Sequence, residues 1–159
     1  MPELNDAASP LYHRSYFFDA GLRFACQRCG RCCTGSPGRV FLPEDHLAPL
    51  ARHLGLTPAD LVDRHLKRDD GGYRVREDAD GRCHFYHSGG CRIYRQRPPQ
   101  CASFPFWFQN LRRQENWQAL KRRCPGVGRG PRFSKSRILA TMDGSPPLGG
   151  VDPPCHFTP

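Results

Sequence analysis

The chain has 159 residues with 24 basic and 15 acidic side chains, so its length suits one domain with a tail. Leu, Ile, Val and Phe total 31 residues, of which only seven are Val or Ile, and this scarcity argues against a large β-sandwich or a parallel α/β sheet. The predicted apolar core is therefore thin, and the nine cysteines are the obvious groups to supplement it.

Composition divides the chain into three segments. Residues 1–21 are predicted to form an N-terminal arm, residues 22–140 a cysteine-cluster metal-binding domain, and residues 141–159 a poorly ordered Gly/Pro-rich tail. The predicted fold class is small irregular α+β, with short helices and small β-hairpins organised around a cysteine-bound metal centre.

Helix signals dominate the first half of the domain. Residues 40–42 are a predicted short strand, after which Pro43 begins a helix that Gly55 ends. Thr57 is the predicted N-cap of a second helix, because Asp60 follows it at the position of a capping-box acid.

The second half of the domain combines turns with shorter elements. Residues 69–72 are a predicted turn, and residues 73–75 and 83–85 alternate as a hairpin around Asp80-Gly81. A short helix carrying Cys101 is predicted to begin at Pro98-Pro99. The segment from Phe106 to Lys121 is ambiguous between a helix and a second hairpin, and residues 124–126 form a predicted turn.

The densest motif is Cys26-Gln-Arg-Cys29-Gly30-Arg-Cys32-Cys33, which places four cysteines within eight residues. The C-x₂-C-x₂-C spacing of its first three cysteines is typical of bacterial iron–sulfur loops, and its C-x₂-C half occurs in many zinc sites. Gly30 supplies the positive φ that such a loop often needs after its second cysteine. Adjacent residues normally point their side chains apart, so we expect Cys32 and Cys33 not to share one ion comfortably, and one of them to serve or link a second metal.

Four later cysteines complete a set of eight thiols: Cys83, Cys91, Cys101 and Cys124. Eight thiolates suffice for two four-ligand sites, or for one cluster and a mononuclear site. The predicted helix start is expected to lower the thiol pKa of Cys101, and Pro125 follows Cys124 as in ferredoxin-type runs. Cys155 lies in the tail and is expected to be a free or structural thiol.

Other polar residues near the cysteines are weaker candidates for a role in metal or substrate binding. His84 and His87 are secondary ligand candidates, because eight cysteines already suffice. Arg97 precedes Pro98 and is expected to pin the loop through backbone carbonyls or by stacking on an aromatic ring such as Tyr94, rather than to bind a substrate.

The expected compartment is the cytoplasm. No run approaches the ~18 apolar residues that span a bilayer, and the first 24 residues lack the basic and apolar blocks of a secretory signal. Disulfides are rare in the cytoplasm and an odd cysteine count fits them poorly, which favours metal binding or redox chemistry.

The cysteine segments resemble those of the YkgJ-type cysteine-cluster family, whose CxxCxxCC domain is described as zinc- or iron-chelating. The resemblance covers about residues 22–130, and its third segment, Cys91 to Phe106, departs from the family pattern at Ala102, where Arg is common. The resemblance implies metal binding by eight matched cysteines: Cys26, Cys29, Cys32, Cys33, Cys83, Cys91, Cys101 and Cys124. A flagellin lysine methylase looks similar around such a cluster, so the resemblance leaves enzymatic activity open.

Three functions follow from these features. The first is a cytoplasmic metalloprotein that binds iron, as an iron–sulfur cluster, or zinc, with a redox, sensing or metal-handling role. The second is a structural zinc domain that binds nucleic acid through residues 81–140, which hold 13 Lys or Arg and one acid. The third is a cluster-containing enzyme related to methyltransferases, although no cofactor-binding signature accompanies it. No protein partner is identified.

We favour the first function over nucleic-acid binding for two reasons. Two four-thiolate centres would each carry about −2, which lowers the formal charge of +9 to about +5. The aromatic residues of the basic segment are also needed to fill a core that has few aliphatic side chains: Phe85, Tyr94, Phe104, Phe106, Trp107 and Phe108.

Overall fold

The computed structural model describes residues 9–34, 40–69 and 72–142, which form short helices and small antiparallel sheets. The helices are α1 (Pro10–His13), α2 (Leu47–Leu54), α3 (Pro58–His65), α4 (Pro99–Ser103), α5 (Phe108–Leu111), α6 (Gln114–Arg123) and α7 (Lys135–Met142). The strands are β1 (Leu22–Phe24), β2 (Phe41–Leu42), β3 (Leu66–Asp69), β4 (Gly72–Val75), β5 (Tyr86–His87), β6 (Gly90–Cys91) and β7 (Val127–Phe133). Short 3-10 helices lie at Glu44–His46 and Tyr94–Gln96. The predicted small α+β class is confirmed.

The described residues belong to two compact units. Unit 1 takes its residues from Met1–Gln27 and Ser103–Pro159, and unit 2 takes them from Arg28–Ala102. Strands β1 and β7 pair in unit 1, whereas unit 2 contains the sheet β2-β4-β3 and the hairpin β5-β6.

The core of unit 2 is built from leucines at helical spacing. Leu47 and Leu50 of α2 and Leu61 of α3 are buried in one cluster with Leu66 and Val75 of the three-stranded sheet. One face of each helix is removed from water in this cluster. Apolar residues therefore recur at helical spacing within residues 47–66.

The predicted end of α2 and the predicted cap of α3 are confirmed, whereas the predicted start at Pro43 is wrong, because Glu44–His46 form a 3-10 helix and α2 begins at Leu47. Gly55 ends α2 in the left-handed conformation, with φ 67°. Thr57 caps α3, because its Oγ1 accepts a hydrogen bond of 3.1 Å from the backbone N–H of Asp60. The same hydroxyl donates to Asp60 Oδ2 over 2.7 Å, and this bond lowers the pKa of the Asp60 carboxyl.

The chain reversal predicted around Asp80-Gly81 forms, because the Asp78 N–H donates to the Arg82 carbonyl over 2.8 Å and the His84 N–H to the Arg76 carbonyl over 3.0 Å, but residues 73–75 are not its first strand. Strand β4 instead pairs with β3 across the predicted turn at residues 69–72, with Val75 opposite Leu66, and with β2 on its other side. Cys83 forms an isolated bridge with Glu77. Strand β3 follows α3 directly, so its residues look like one more helical turn in the sequence.

Aromatic side chains form the core of unit 1. Phe18 and Phe106 are buried there, and the Phe106 ring stacks on Trp117 with ring centroids 6.1 Å apart. Ile138 of α7 closes the cluster. The prediction that aromatics fill the core holds for Phe106, as it does for Phe85 in unit 2, whereas Phe108 is 69 % exposed.

Long-range pairing accounts for the elements of unit 1 that the sequence analysis missed. The ambiguous segment after Phe106 folds into α5 and α6. Strand β7 has glycines and a proline in its interior, so its local sequence does not predict a strand. It forms by pairing with β1, where Arg23 lies opposite Arg132. Helix α7 was also not predicted.

The predicted segment bounds remain a prediction. Helix α1 and the buried Phe18 lie within the predicted arm, residues 1–21. Most of the predicted tail, residues 143–159 with Cys155, lies outside the described residues. In the part of the chain that is described, no helix has the length and apolar character needed to cross a membrane.

Replacing the cap of α3 tests the helix boundary. Thr57→Ala removes the acceptor of the Asp60 N–H, so we expect the free energy of unfolding to fall by about 1 kcal/mol. Thr57→Ser keeps the hydroxyl and is the matched control. Chemical denaturation of both variants measures the difference, and equal stabilities would contradict the capping role.

Candidate metal centre

The cysteine-rich loop reverses direction at residues with left-handed backbone. Arg28 has φ 50° and Gly30 has φ 72°, which confirms the predicted positive φ after the second cysteine. The carbonyl of Gly30 then accepts a hydrogen bond from the Cys33 N–H at 2.9 Å and another from Thr34 Oγ1 at 3.0 Å. These bonds fix the tight turn that carries Cys32 and Cys33.

Gly30 lies against the hairpin that presents Cys91. A Cβ at Gly30 would overlap the Tyr86 ring, so this position requires glycine for space as well as for conformation. Tyr86 lies opposite Cys91 in the β5-β6 pair, and the turn residues Ser88 and Gly89 have φ 47° and 79°. Positive φ at both central residues is typical of a tight type I′ hairpin turn. The contact of Tyr86 with Gly30 could not be predicted from the sequence, because no local pattern around Tyr86 indicates it.

The thiols of Cys32 and Cys33 converge, contrary to the prediction that adjacent side chains point apart. Their Sγ atoms are 3.9 Å apart on the turn that follows Gly30. The sulfur–sulfur hydrogen bond lowers the pKa of Cys32 to about 7 and raises that of Cys33, so the first proton leaves this pair more easily than the second. The positive charge of Arg97 also favours the Cys32 thiolate.

Backbone contacts bring later cysteines to the same unit. The Cys83 N–H donates to the carbonyl of Cys33 over 2.8 Å, and both Cys83 and Cys91 pack against the apolar cluster of unit 2. Burial raises the pKa of Cys83, and the neighbouring Cys91 thiol raises it further. The thiols of Cys32, Cys83, Cys91 and Cys101 are close enough to influence one another electrostatically.

The expected lowering of the Cys101 pKa is wrong. Cys101 lies on α4, as predicted, but burial raises its thiol pKa to about 12, and the thiols of Cys83, Cys32 and Cys91 add to the shift. Helix α4 has five residues, and the loss of hydration at the sulfur outweighs any effect of the helix terminus.

Unit 1 holds two of the eight predicted ligands. The N–H of Ala25 donates to the Gly126 carbonyl over 3.1 Å, so Cys26 and Cys124 lie near the same end of the β1-β7 pair. Both pack against the aromatic cluster of unit 1. Cys29 belongs to unit 2 and is exposed.

The cysteines are a suitable donor set for a thiophilic metal, but a bound ion would have to draw them together. None of the eight predicted ligands takes part in a disulfide. Among residues 9–34, 40–69 and 72–142, no three His, Cys, Asp or Glu side chains are arranged to hold a metal ion as they stand. Thiolates suit zinc, iron and iron–sulfur clusters, so the chemistry of the donors fits.

Arg97 has the structural role that its sequence context suggests. Its Nη1 donates to the Tyr94 carbonyl over 2.9 Å, and its guanidinium lies 4.1 Å from the centroid of the Tyr94 ring. The Arg28 guanidinium lies at the same distance from that ring. Two cations therefore share one aromatic ring beside the cysteine loop, a contact that the sequence analysis did not assign to Arg28.

The histidines near Cys83 pack against other rings. The His84 ring meets His65 edge-on with centroids 4.8 Å apart, and His65 stacks on Phe85. Burial lowers the pKa of His65, and the neighbouring His84 contributes. His87 lies exposed on β5.

Substitution of Gly30 tests how the cysteine loop is held. Gly30→Ala introduces both left-handed strain and overlap with Tyr86, whereas Gly89→Ala introduces the strain in open space. We expect Gly89→Ala to lower the free energy of unfolding by about 1–2 kcal/mol. Gly30→Ala should lower the free energy of unfolding by about 1–3 kcal/mol more than Gly89→Ala does, because the new methyl group overlaps the Tyr86 ring. It should also lower the metal content.

Denaturation and elemental analysis of the two variants measure these effects. Two variants with equal stability and equal metal content would show that Tyr86 does not constrain the loop.

Comparison with known families agrees with this donor chemistry. The family model described as "CxxCxxCC: Putative zinc- or iron-chelating domain" matches residues 25–125, which supports metal binding. No solved structure matches the chain. Because the matched region is well over half of the sequence, the chain belongs to the CxxCxxCC family of zinc- or iron-chelating domains.

Proposed function

We propose that the eight cysteines bind iron, as an iron–sulfur cluster, and that the protein has a redox, sensing or metal-handling role. The observation that carries the proposal is the approach of cysteines in unit 2: the Sγ atoms of Cys32 and Cys33 are 3.9 Å apart, and the Cys83 N–H donates to the Cys33 carbonyl over 2.8 Å. Ionised together, these thiols would repel, and a metal cation removes that repulsion because its ligands are thiolates.

The order of the cysteines favours iron, and zinc is the alternative metal. Cys26, Cys29 and Cys32 have the spacing of iron–sulfur loops, and Pro125 follows Cys124 as in ferredoxin-type runs. The nearby positive charge of Arg97 favours a thiolate at Cys32 and would partly offset the negative charge of a cluster.

The proposed compartment is the cytoplasm, where thiols stay reduced. The eight cysteines of the described residues lie outside disulfides, which is compatible with that redox state. An enzymatic role for the cluster remains the third hypothesis.

Anaerobic purification with elemental analysis tests the metal. We expect brown protein with iron, inorganic sulfide and an absorption band near ~400 nm from sulfur-to-iron charge transfer. Dithionite should bleach the band if the cluster is redox-active. Colourless protein with stoichiometric zinc would contradict the iron–sulfur proposal while retaining metal binding.

Removal of the metal tests its link to stability. A strong chelator should lower the unfolding temperature of the purified protein, and metal affinity should weaken as the pH falls, because protons compete for the thiolates. Cys155→Ser, which lies outside residues 25–125, should leave the metal content unchanged.

The basic charge of unit 1 favours nucleic-acid binding as a second candidate function. Its described residues, 9–27 and 103–142, hold eleven Lys or Arg but two acids, Asp19 and Glu115. Arg23 and Arg132 lie directly opposite each other in the β1-β7 pair, so two exposed basic side chains lie on the same face of these strands. Hydrogen bonds to the carbonyls of Gly130 and Ala20 hold the two guanidiniums.

Salt-dependent binding of a labelled single-stranded oligonucleotide tests this candidate. Arg129→Gln changes an exposed residue of β7 and should weaken binding and reduce the salt slope by about one, whereas Arg52→Gln on α2 of unit 2 should not. Binding that ignores salt concentration, or equal effects of both variants, would contradict the candidate.

A further inference from the structure

The vicinal thiols of Cys32 and Cys33 have the spacing of two ligands on one ion. Their Sγ atoms are 3.9 Å apart. Two thiolates on one tetrahedral ion, with metal–sulfur bonds of about 2.3 Å, lie about 3.8 Å apart. We propose that Cys32 and Cys33 chelate a single zinc or iron ion as a bidentate pair, an inference that rests on the proposed metal-binding function and identifies part of its ligand set.

This geometry separates two kinds of iron site. In a four-iron cluster with four cysteines, each iron takes one thiolate, so two cysteine sulfurs are held farther apart than two ligands of one ion. A mononuclear ion, or one iron of a two-iron cluster, accepts two cysteines. The 3.9 Å separation therefore favours these sites over a four-iron cluster that uses both thiols.

The backbone on both sides of the pair is fixed by hydrogen bonds. The Cys33 N–H donates to the Gly30 carbonyl over 2.9 Å, and the Cys33 carbonyl accepts from the Cys83 N–H over 2.8 Å. Thr34 Oγ1 adds a bond of 3.0 Å to the Gly30 carbonyl. The turn thus orients both thiols before any ion arrives, which reduces the loss of conformational freedom on binding.

The Cys32–Cys33 pair is accessible to solvent, and further cysteines belong to the same unit. Cys32 is exposed and Cys33 is half-buried, so an ion can reach the pair from solvent. Cys29, Cys83, Cys91 and Cys101 belong to the same unit and are sulfur donors available to complete four-coordination.

Zinc stoichiometry distinguishes one shared ion from two separate ions. Metal-free, reduced full-length protein is loaded with Zn(II) and washed with a chelator at a concentration that wild-type protein withstands. We expect Cys32→Ser and Cys33→Ser each to lose one zinc per chain, and the double variant to lose the same one zinc. Cys155→Ser is the control and should retain all of the zinc.

The outcomes are distinct. A double variant that loses two zinc ions, or single variants that lose none, would overturn the shared ion and leave metal binding intact. Wild-type protein that holds neither zinc nor iron would overturn the proposed function and this inference with it.

A dithiol reagent tests the pair in wild-type protein, where misfolding of a variant is not a concern. Phenylarsine oxide forms two arsenic–sulfur bonds with two nearby thiols, and its oxygen leaves as water with the two thiol protons. Peptide mapping by mass spectrometry should place the first arsenic on the peptide that contains both Cys32 and Cys33. An unmodified Cys32–Cys33 peptide after one equivalent has reacted elsewhere would contradict the proposed pair.

Discussion

The crowding of sulfur atoms in unit 2 is the constraint on which the surrounding structure depends. Burial and neighbouring thiols raise the pKa of Cys83 and Cys101, so these groups favour the protonated form until a cation replaces the protons. The turn at Gly30 and the backbone hydrogen bond from Cys83 to Cys33 hold these two cysteines in place. A bound metal converts the same crowding into a stabilising interaction, because it replaces protons with one shared positive charge.

Cations and aromatic rings around the cysteine loop complement the sulfur atoms. Arg28 and Arg97 both lie over Tyr94, and the charge of Arg97 reaches Cys32. Tyr86 fills the space that Gly30 leaves open. Cys83 and Cys91 also pack against a small apolar cluster, whose size agrees with a chain that has few aliphatic residues. Metal binding would therefore add stability to a protein whose apolar core is small.

Features decided by neighbouring residues could be predicted from the sequence, whereas features decided by distant residues could not. The cap at Thr57 and the left-handed Gly55 and Gly30 follow from local backbone chemistry. The pairing of β7 with β1 depends on residues more than a hundred positions apart, and the pKa of Cys101 depends on burial that its helical position does not reveal. The complete ligand set stays a prediction, because the metal itself would determine how the thiols close around it.

Unit 1 takes its residues from two separate segments of the chain, whereas unit 2 is one continuous stretch. During synthesis from the N-terminus, the residues of unit 2 emerge together and can fold as soon as Ala102 has left the ribosome. Strand β1 must wait for β7, because its pairing partner is made about a hundred residues later. The thiols of unit 2 thus leave the ribosome before Cys124 does, so the order of synthesis gives them the first opportunity to capture a metal ion.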